Sequence, residues 1–113
     1  MDNIKIIDIL LVEDNPGDAR LAQEALKEGK VKNRLHIARD GIEATDFLFK
    51  RNNFKEAPTP DLIILDLNLP RKNGHEVLAE IKADESLKSI PVVVLTISKS
   101  DEDILKTYNL HAN

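Results

Sequence analysis

The fold is decided by the stretch Leu62-Ile63-Ile64-Leu65-Asp66-Leu67-Asn68-Leu69-Pro70. An unbroken apolar run of this length, bounded by Pro60-Asp61 and Pro70, predicts a strand that is buried on both faces. Asp66 then lies at the carboxyl end of a central parallel strand, which is where open α/β sheets bind their ligands. Because a buried carboxylate without a partner is costly, the position favours a functional site over a structural aspartate.

The composition is that of one small soluble domain. The chain has 113 residues, of which 42% are hydrophobic and 32% charged, enough for one core but too few for two domains. The net charge of -4 disfavours nucleic acid as a partner, because phosphate binding requires a basic face. The lack of cysteine excludes disulfides and thiolate metal sites. With no signal peptide and no apolar run near the roughly 20 residues of a membrane span, we expect a cytoplasmic protein without a membrane partner.

A second apolar run, residues 6–12, is interrupted only by Asp8 and ends in Glu13-Asp14. Asn15-Pro16 follows and predicts a helix start, because Asn accepts from the unpaired amides of a first turn and Pro fits the first helical position. The expected apolar positions and C-cap of this helix are Ala19, Ala22, Ala25, Leu26 and Gly29. The first unit is therefore strand, acidic turn, helix.

The middle of the chain predicts a second strand and a second helix. Residues 35–38 alternate apolar and polar side chains, as a half-buried strand does. Asp40-Gly41 indicates a turn, and residues 42–50 predict a helix. The core positions of this helix are Ala44, Phe47 and Leu48. Residues 51–61 have no clean period and predict a loop that is long for an α/β unit.

The last third of the chain repeats the pattern. Asn73-Gly74 indicates a turn, and a helix over about residues 74–83 follows, with Val77, Leu78 and Ile81 on one face. Residues 90–95 predict another doubly buried strand, which ends in Thr96. Ser100 is the expected N-cap of a fourth helix. The order β-α-β-α-β-α-β-α predicts an α/β fold, a doubly wound parallel sheet with helices on both faces.

Polar side chains follow three of these strands. Glu13-Asp14, Asp66 and Thr96 each lie where a strand ends, and the carboxyl ends of parallel strands share one edge of a sheet. Three acids brought together repel one another unless a cation or protons compensate. Without cysteine, oxygen ligands at this density suit Mg²⁺, and the backbone carbonyl of Asn68 could join them.

An aspartate beside Mg²⁺ is a nucleophile for phosphoryl groups and gives an aspartyl phosphate. The metal holds the phosphoryl oxygens and offsets the charge of the transition state, so most of the catalysis is positioning. Thr96 could donate its hydroxyl to a phosphoryl oxygen, although a strand-terminal threonine is also common on β propensity alone. We therefore expect Asp66 to accept a phosphoryl group.

Three motifs give the chain a resemblance to a known family. They are Ile9-Leu10-Leu11-Val12-Glu13-Asp14-Asn15, then Asp61-Leu62-Ile63-Ile64-Leu65-Asp66-Leu67-Asn68-Leu69-Pro70 with Gly74, then Pro91-Val92-Val93-Val94-Leu95-Thr96. In combination they make the whole chain resemble the receiver domain of two-component response regulators. The resemblance implies the CheY-like, flavodoxin-like fold with strand order 2-1-3-4-5. One further motif, which follows the long loop, looks most like the stand-alone receivers associated with bacterial phytochromes. This motif is Asp66-Leu67-Asn68-Leu69-Pro70-Arg71-Lys72-Asn73-Gly74.

The resemblance implies a role for each residue of the site. Asp66 would be the phosphoacceptor for a histidine kinase, and Glu13 and Asp14 would be the acidic pair around Mg²⁺. Asn68 would contribute its main-chain carbonyl to the metal, and Thr96 would move toward the phosphoryl group. The loop beside the site would be shaped by Pro70 and Gly74. The chain would then be a self-phosphorylating signalling domain that switches partner binding, and not a turnover enzyme.

One part of the family pattern is missing. The family has a fifth strand that ends in lysine followed by proline, then a fifth helix, and this sequence ends at Asn113 before them. None of Lys99, Lys72 and Arg71 ends a fifth strand, and Tyr108 does not replace the aromatic switch residue of that strand. Residues 1–113 would form a single receiver domain truncated after the fourth helix, with residues 92–95 as an apolar edge. We expect either further residues beyond 113 or association of two copies, a homodimer, through this edge.

Two other functions are open. A phosphate-independent interaction module would keep the fold, which the missing lysine permits. A phosphohydrolase of the haloacid dehalogenase type also has an aspartate after an apolar strand, but it needs a second acid where this chain has Asn68, and it lacks a counterpart to Glu13-Asp14. Arg71 and Lys72 either are solvated charges or attract the phosphodonor domain of a kinase. The three histidines of the chain are expected to be surface or strand residues and not metal ligands; they are His36, His75 and His111.

Overall fold

The computed structural model describes residues 5–29 and 31–95 of the chain. In this part, four parallel strands form one sheet in the order β2-β1-β3-β4, which confirms the predicted order 2-1-3-4. The strands are β1 (Ile7–Val12), β2 (Asn33–Ala38), β3 (Leu62–Asp66) and β4 (Val92–Leu95). The helices are α1 (Pro16–Glu28), α2 (Gly41–Leu48) and α3 (Gly74–Ala83), with a short 3-10 helix at Asn52–Phe54. The expectations for Thr96, Lys99, Ser100, Tyr108 and His111 lie outside the described residues.

The main core lies between one face of the sheet and the pair α2 and α3. Leu10 and Val12 of β1 and Ile63 and Leu65 of β3 point to this face, and all four are fully buried. They pack with the helix residues Ala44, Phe47, Leu48, Val77, Leu78 and Ile81. Ile9 and Leu11 alternate with them and lie on the opposite face, where α1 contributes its one buried residue, Ala19. The helices therefore lie on both faces, as predicted.

Three polar residues set the helix starts by capping. Asn15 accepts from the amide of Asp18 at 3.0 Å, which confirms the predicted N-cap of α1. Asp40 caps α2 through the amide of Glu43 at 2.8 Å. At α3, Asn73 forms a reciprocal capping box with its third helical residue. The prediction of a turn at Asp40-Gly41 is thus wrong, because Asp40 is the N-cap of α2 and Gly41 is its first residue.

Several predicted bounds and burial patterns differ from the structure. The second strand begins at Asn33 and not at residue 35, since pairing with β1 extends it. The second helix ends at Leu48 because Lys50 has a φ of 56°, which breaks the helical backbone. Ala25 is exposed, since α1 packs through a narrower stripe than its sequence indicated. Val93 is 42% exposed, so β4, an edge of the described sheet, is not buried on both faces.

The long loop before β3 has more order than its sequence indicated. Its 3-10 helix brings the ring of Phe54 to 5.6 Å from that of Phe47, against the core. Asp61 lies at the end of this loop, and its side chain accepts a hydrogen bond from the amide of Asp8. The amide of Asp61 in turn donates to the carbonyl of Asp8 at 2.7 Å, and this pair of bonds sets the start of β3 beside β1. Among the described residues, no helix is long and apolar enough to cross a membrane.

Candidate functional site

Three carboxylates meet at the carboxyl edge of the sheet. Glu13 and Asp14 follow β1, and Asp66 is the last residue of β3. Because β1 and β3 are neighbours paired at Val12 and Leu65, their ends bring the acids together. One carboxylate oxygen of each of the three lies within 4.8 Å of the others. Within residues 5–29 and 31–95, this is the one such group of three or more potential metal ligands, and it is the group that the sequence predicts.

Backbone amides fix two of these carboxylates. The Asn15 amide donates to Glu13 Oε2 at 3.0 Å, and the Asn68 amide donates to Asp66 Oδ1 at 3.0 Å. In both cases the backbone amide two residues after the acid donates to its carboxylate, which is the pattern of an Asx-type turn. Each carboxylate is therefore oriented by the loop that leaves its own strand. Asp14 lies exposed at the mouth of the site.

The negative charges of this acidic cluster repel one another, and the effect is largest at Glu13. Glu13 is only 5% exposed. Its burial, and then the nearby negative charge of Asp66, raise the pKa of Glu13 to about 7, while the Asn15 amide acts in the opposite direction. Glu13 is thus held near its titration midpoint at neutral pH unless a cation compensates its charge. This chemistry of the donors, carboxylate oxygens without nitrogen or sulfur, fits a hard divalent cation.

The loop that leaves β3 depends on a glycine. The Gly74 amide donates to the Leu67 carbonyl at 3.0 Å. A Cβ at residue 74 would lie 2.4 Å from the Leu67 Cα and 2.5 Å from the Asp66 carbonyl oxygen, closer than real Cβ atoms come. Only glycine therefore lets α3 begin against the backbone of the acidic site. This supports the expected role of Gly74, and Pro70 lies in the same loop.

The two cations of this loop both have partners within the chain. Arg71 Nη1 lies 3.0 Å from Asp40 Oδ2, and Lys72 Nζ lies 2.6 Å from Glu80 Oε2. The solvated reading of these residues is wrong for Lys72, whose side chain is only 19% exposed. Neither pair could be predicted from the sequence, because Asp40 precedes α2 and Glu80 lies on α3, and the position of each relative to the loop depends on the tertiary fold.

His36 is part of a structural network at the far end of the sheet. Its Nε2 lies 3.0 Å from Asp8 Oδ1, and Arg34 Nε lies 3.0 Å from the same oxygen. The pKa of Asp8 is lowered below its usual 3.8, first by the hydrogen bond to His36 and then by Arg34, against the effect of burial. His36 thus lies on β2, as expected, and is not one of the three residues of the acidic cluster. Asp8, the one break in the apolar run 6–12, was the only sequence signal for this network.

Comparison with known proteins gives consistent matches. The pattern of the response regulator receiver domain matches residues 9–113. The response regulator Rcp1 of Synechocystis sp. is 52% identical over 105 residues, which cover 93% of this chain and 71% of Rcp1. A crystal structure of the Mn²⁺-bound form of Rcp1 superposes with a TM-score of 0.90 at 51% identity, covering 95% of this chain and 77% of that one. The phosphorylated cyanobacterial phytochrome response regulator RcpA has a TM-score of 0.91 at 51% identity, covering 96% and 78%. These matches confirm the predicted CheY-like, flavodoxin-like fold.

Proposed function

The chain belongs to the response regulator receiver domain family of two-component systems, and on that premise we propose that Asp66 accepts a phosphoryl group from a histidine kinase in a Mg²⁺-dependent reaction. The observation that carries this proposal is the cluster of Glu13, Asp14 and Asp66, with one oxygen of each within 4.8 Å of the others. The proposed output is a change in partner binding. The chain modifies itself and does not turn over a substrate.

In the proposed reaction, a carboxylate oxygen of Asp66 attacks the phosphorus of a phosphohistidine. An O–P bond forms as the P–N bond breaks, and the imidazole leaves with the electron pair and takes up a proton. The Asn68 amide holds Asp66 Oδ1 at 3.0 Å, so this chain fixes the direction of the nucleophile before the donor arrives. Since phosphoryl transfer requires little chemistry from the protein beyond positioning and charge compensation, this orientation is the main contribution of the loop.

The residues that would hold the metal are Glu13, Asp14, Asp66 and the main-chain carbonyl of Asn68. When bound, Mg²⁺ supplies charge compensation for the phosphoryl oxygens. Glu13 must be ionised to act as a ligand, and its buried position beside Asp66 disfavours that form unless a cation is present. The proposed role of Thr96 is to donate its hydroxyl to the phosphoryl group. The Mn²⁺-bound form of the similar Rcp1 supports a divalent metal here.

The proposed phosphodonor is a phytochrome-type histidine kinase. The similarity to RcpA, a phosphorylated phytochrome response regulator, supports this choice. We place the reaction in the cytoplasm, without nucleic acid or membrane as partner. The further proposal of a homodimer through the edge of β4 rests on the position of this strand at one edge of the described sheet. Concentration-dependent sedimentation tests it, and a Val93→Lys variant should shift the chain toward monomer.

The direct test is the intact mass before and after incubation with Mg²⁺ and a small acyl phosphate. We expect a gain of one phosphoryl group in the wild type and none in Asp66→Asn. Asp61→Asn is the matched control, because it removes the same charge at the other end of β3 and leaves the acidic cluster unchanged. Failure of a correctly folded wild type to gain mass would favour the phosphate-independent interaction module. Steady turnover of a phosphate ester would favour the phosphohydrolase.

A further inference from the structure

The loop that joins β3 to α3 contains a strained turn at its apex. The Lys72 amide donates to the Pro70 carbonyl at 2.8 Å, and the residue between them, Arg71, has a φ of 67°. A hydrogen bond from the amide of one residue to the carbonyl two residues before it, around a central residue with a positive φ, defines the classic γ-turn, which is rare in proteins. Glycine adopts this backbone region easily, whereas an arginine there is strained. Such a backbone conformation persists only where contacts with the surrounding structure hold it.

The side chain of Arg71 ties the turn to the start of α2. Arg71 Nη1 lies 3.0 Å from Asp40 Oδ2, and the other oxygen of Asp40 accepts from the Glu43 amide at 2.8 Å. The Asp40 side chain is only 14% exposed, so its two bonds hold it in one orientation. The pair therefore connects the loop to a fixed helix terminus and not to another mobile side chain.

The next residue of the loop makes a second contact with the same helix. A Cβ at Gly41 would lie 1.8 Å from the Lys72 carbonyl oxygen, which means that the loop backbone packs directly on the first residue of α2. Arg71 and Lys72 thus dock on the adjacent residues Asp40 and Gly41. The docked segment belongs to the same loop as Asn68, whose amide holds Asp66 Oδ1.

We propose that Arg71 is a positioning residue for the Asp66 site: its ion pair with Asp40 holds the strained turn so that the Asn68 backbone stays against the Asp66 carboxylate. Arg71 contacts none of the reacting atoms. The inference rests on the proposed function of Asp66 and goes beyond it, because it assigns the control of site geometry to a contact between α2 and the loop. The competing explanation is that Arg71 attracts the kinase, in which case its pairing with Asp40 is incidental.

Two conservative variants separate these explanations. Arg71→Gln removes the cation and keeps a long side chain, and Asp40→Asn removes the anion and keeps a residue that caps helices equally well. Lys88→Gln is the matched control, because it breaks an exposed ion pair, with Glu85, without touching the loop. Two quantities are measured in the 113-residue chain, the rate of Asp66 labelling by a small acyl phosphate and the affinity for Mn²⁺. Circular dichroism and thermal unfolding verify that each variant is folded.

We expect each of Arg71→Gln and Asp40→Asn to slow labelling at saturating metal and to weaken Mn²⁺ binding, by about tenfold, the lower end of the effect that loss of a contact supporting a metal ligand typically has. The double variant should be no worse than the more affected single one, since both remove the same contact. The control should match the wild type. Labelling and Mn²⁺ affinity equal to the wild type in both variants would overturn the proposal, whether or not transfer from a kinase is reduced. If the wild type takes no label, the proposed function fails, and the Mn²⁺ affinities still decide this inference.

Discussion

Replacing Glu13 by glutamine should stabilise the metal-free protein although it removes a proposed metal ligand. Glu13 is 5% exposed and lies beside Asp66, so its negative charge is unfavourable without a cation. Glutamine has nearly the same shape and retains an oxygen that can accept from the Asn15 amide, which donates to Glu13 Oε2 at 3.0 Å. The variant therefore removes the charge and leaves the packing and the hydrogen bond in place.

The magnitude follows from the shift in the pKa of Glu13 from 4.5 to about 7 on folding. Below about pH 4.5 the residue is protonated in both states and costs nothing; as the pH rises toward 7, only the unfolded state loses the proton, so the folded state becomes relatively less stable. At about 1.4 kcal/mol per pKa unit, the penalty reaches about 3 kcal/mol near pH 8, about 2 kcal/mol near pH 6 and less than about 1 kcal/mol near pH 5. Glu13→Gln should recover most of this energy.

Urea unfolding in the presence of a chelator measures the effect. The free energy of unfolding of Glu13→Gln should exceed that of the wild type near neutral pH, and the difference should shrink steadily as the pH is lowered. Glu85→Gln is the matched control, because that carboxylate is 89% exposed and should give no pH-dependent difference. A Glu13→Gln variant that is equally or less stable than the wild type in chelator at about pH 8 would refute the electrostatic reasoning.

Addition of Mg²⁺ should reverse the order of the two proteins. A ligand that binds only the folded state stabilises it by about 4.1 kcal/mol at a thousandfold excess over its dissociation constant, which exceeds the penalty of about 3 kcal/mol. The wild type should gain in this way, whereas Glu13→Gln should gain much less. Equal stabilisation of both by the metal would show that Glu13 is not a ligand.

Three further predictions concern the scaffold. Gly74→Ala should lower the free energy of unfolding by about 1–3 kcal/mol, since its Cβ would lie 2.4 Å from the Leu67 Cα; an unchanged urea midpoint would contradict this close packing. Asp8→Asn should cost about 1–3 kcal/mol at neutral pH because it removes the negative charge that faces Arg34 and His36, and the difference from wild type should vanish as the pH falls through the lowered pKa of Asp8, below 3.8. A pH-independent difference would exclude the charge of Asp8 as the cause. Leu78→Ala, at a fully buried position of α3, should cost about 2–5 kcal/mol in the same assay, and a cost under about 1 kcal/mol would mean that the site repacks.

The sequence predicted the sheet and the acidic cluster because both follow from local pattern and one topological rule. The run through Leu65 and the run through Val12 have strand length and end in acids, and parallel strands place those ends on one edge. Asn15 and the 74–83 helix were also predictable, since capping and helical period are short-range signals. The acidic residues at the ends of the strands are therefore the part of this site that can be predicted from the sequence.

The supporting contacts could not be predicted, because they join residues far apart in the chain. Asp40 and Arg71 are 31 residues apart, and nothing in the local pattern of either one indicates the other. The same is true of the contact between Gly41 and the Lys72 carbonyl, and without that contact the local pattern of Asp40-Gly41 indicates a turn. The apolar sequence of β4 likewise predicts burial on both faces, although Val93 is 42% exposed, because an apolar residue does not show whether its face of the sheet is covered.

The most direct test of the account is the extent of Asp66 phosphorylation as a function of Mg²⁺ concentration, with the label located by peptide mapping. The account predicts labelling at Asp66 alone, rising to saturation with Mg²⁺, abolished by chelator and shifted to higher Mg²⁺ in Glu13→Gln. Labelling that is independent of the metal, or that falls on another residue, would contradict the claim that the acids ending β1 and β3 form a metal-assisted phosphoacceptor site.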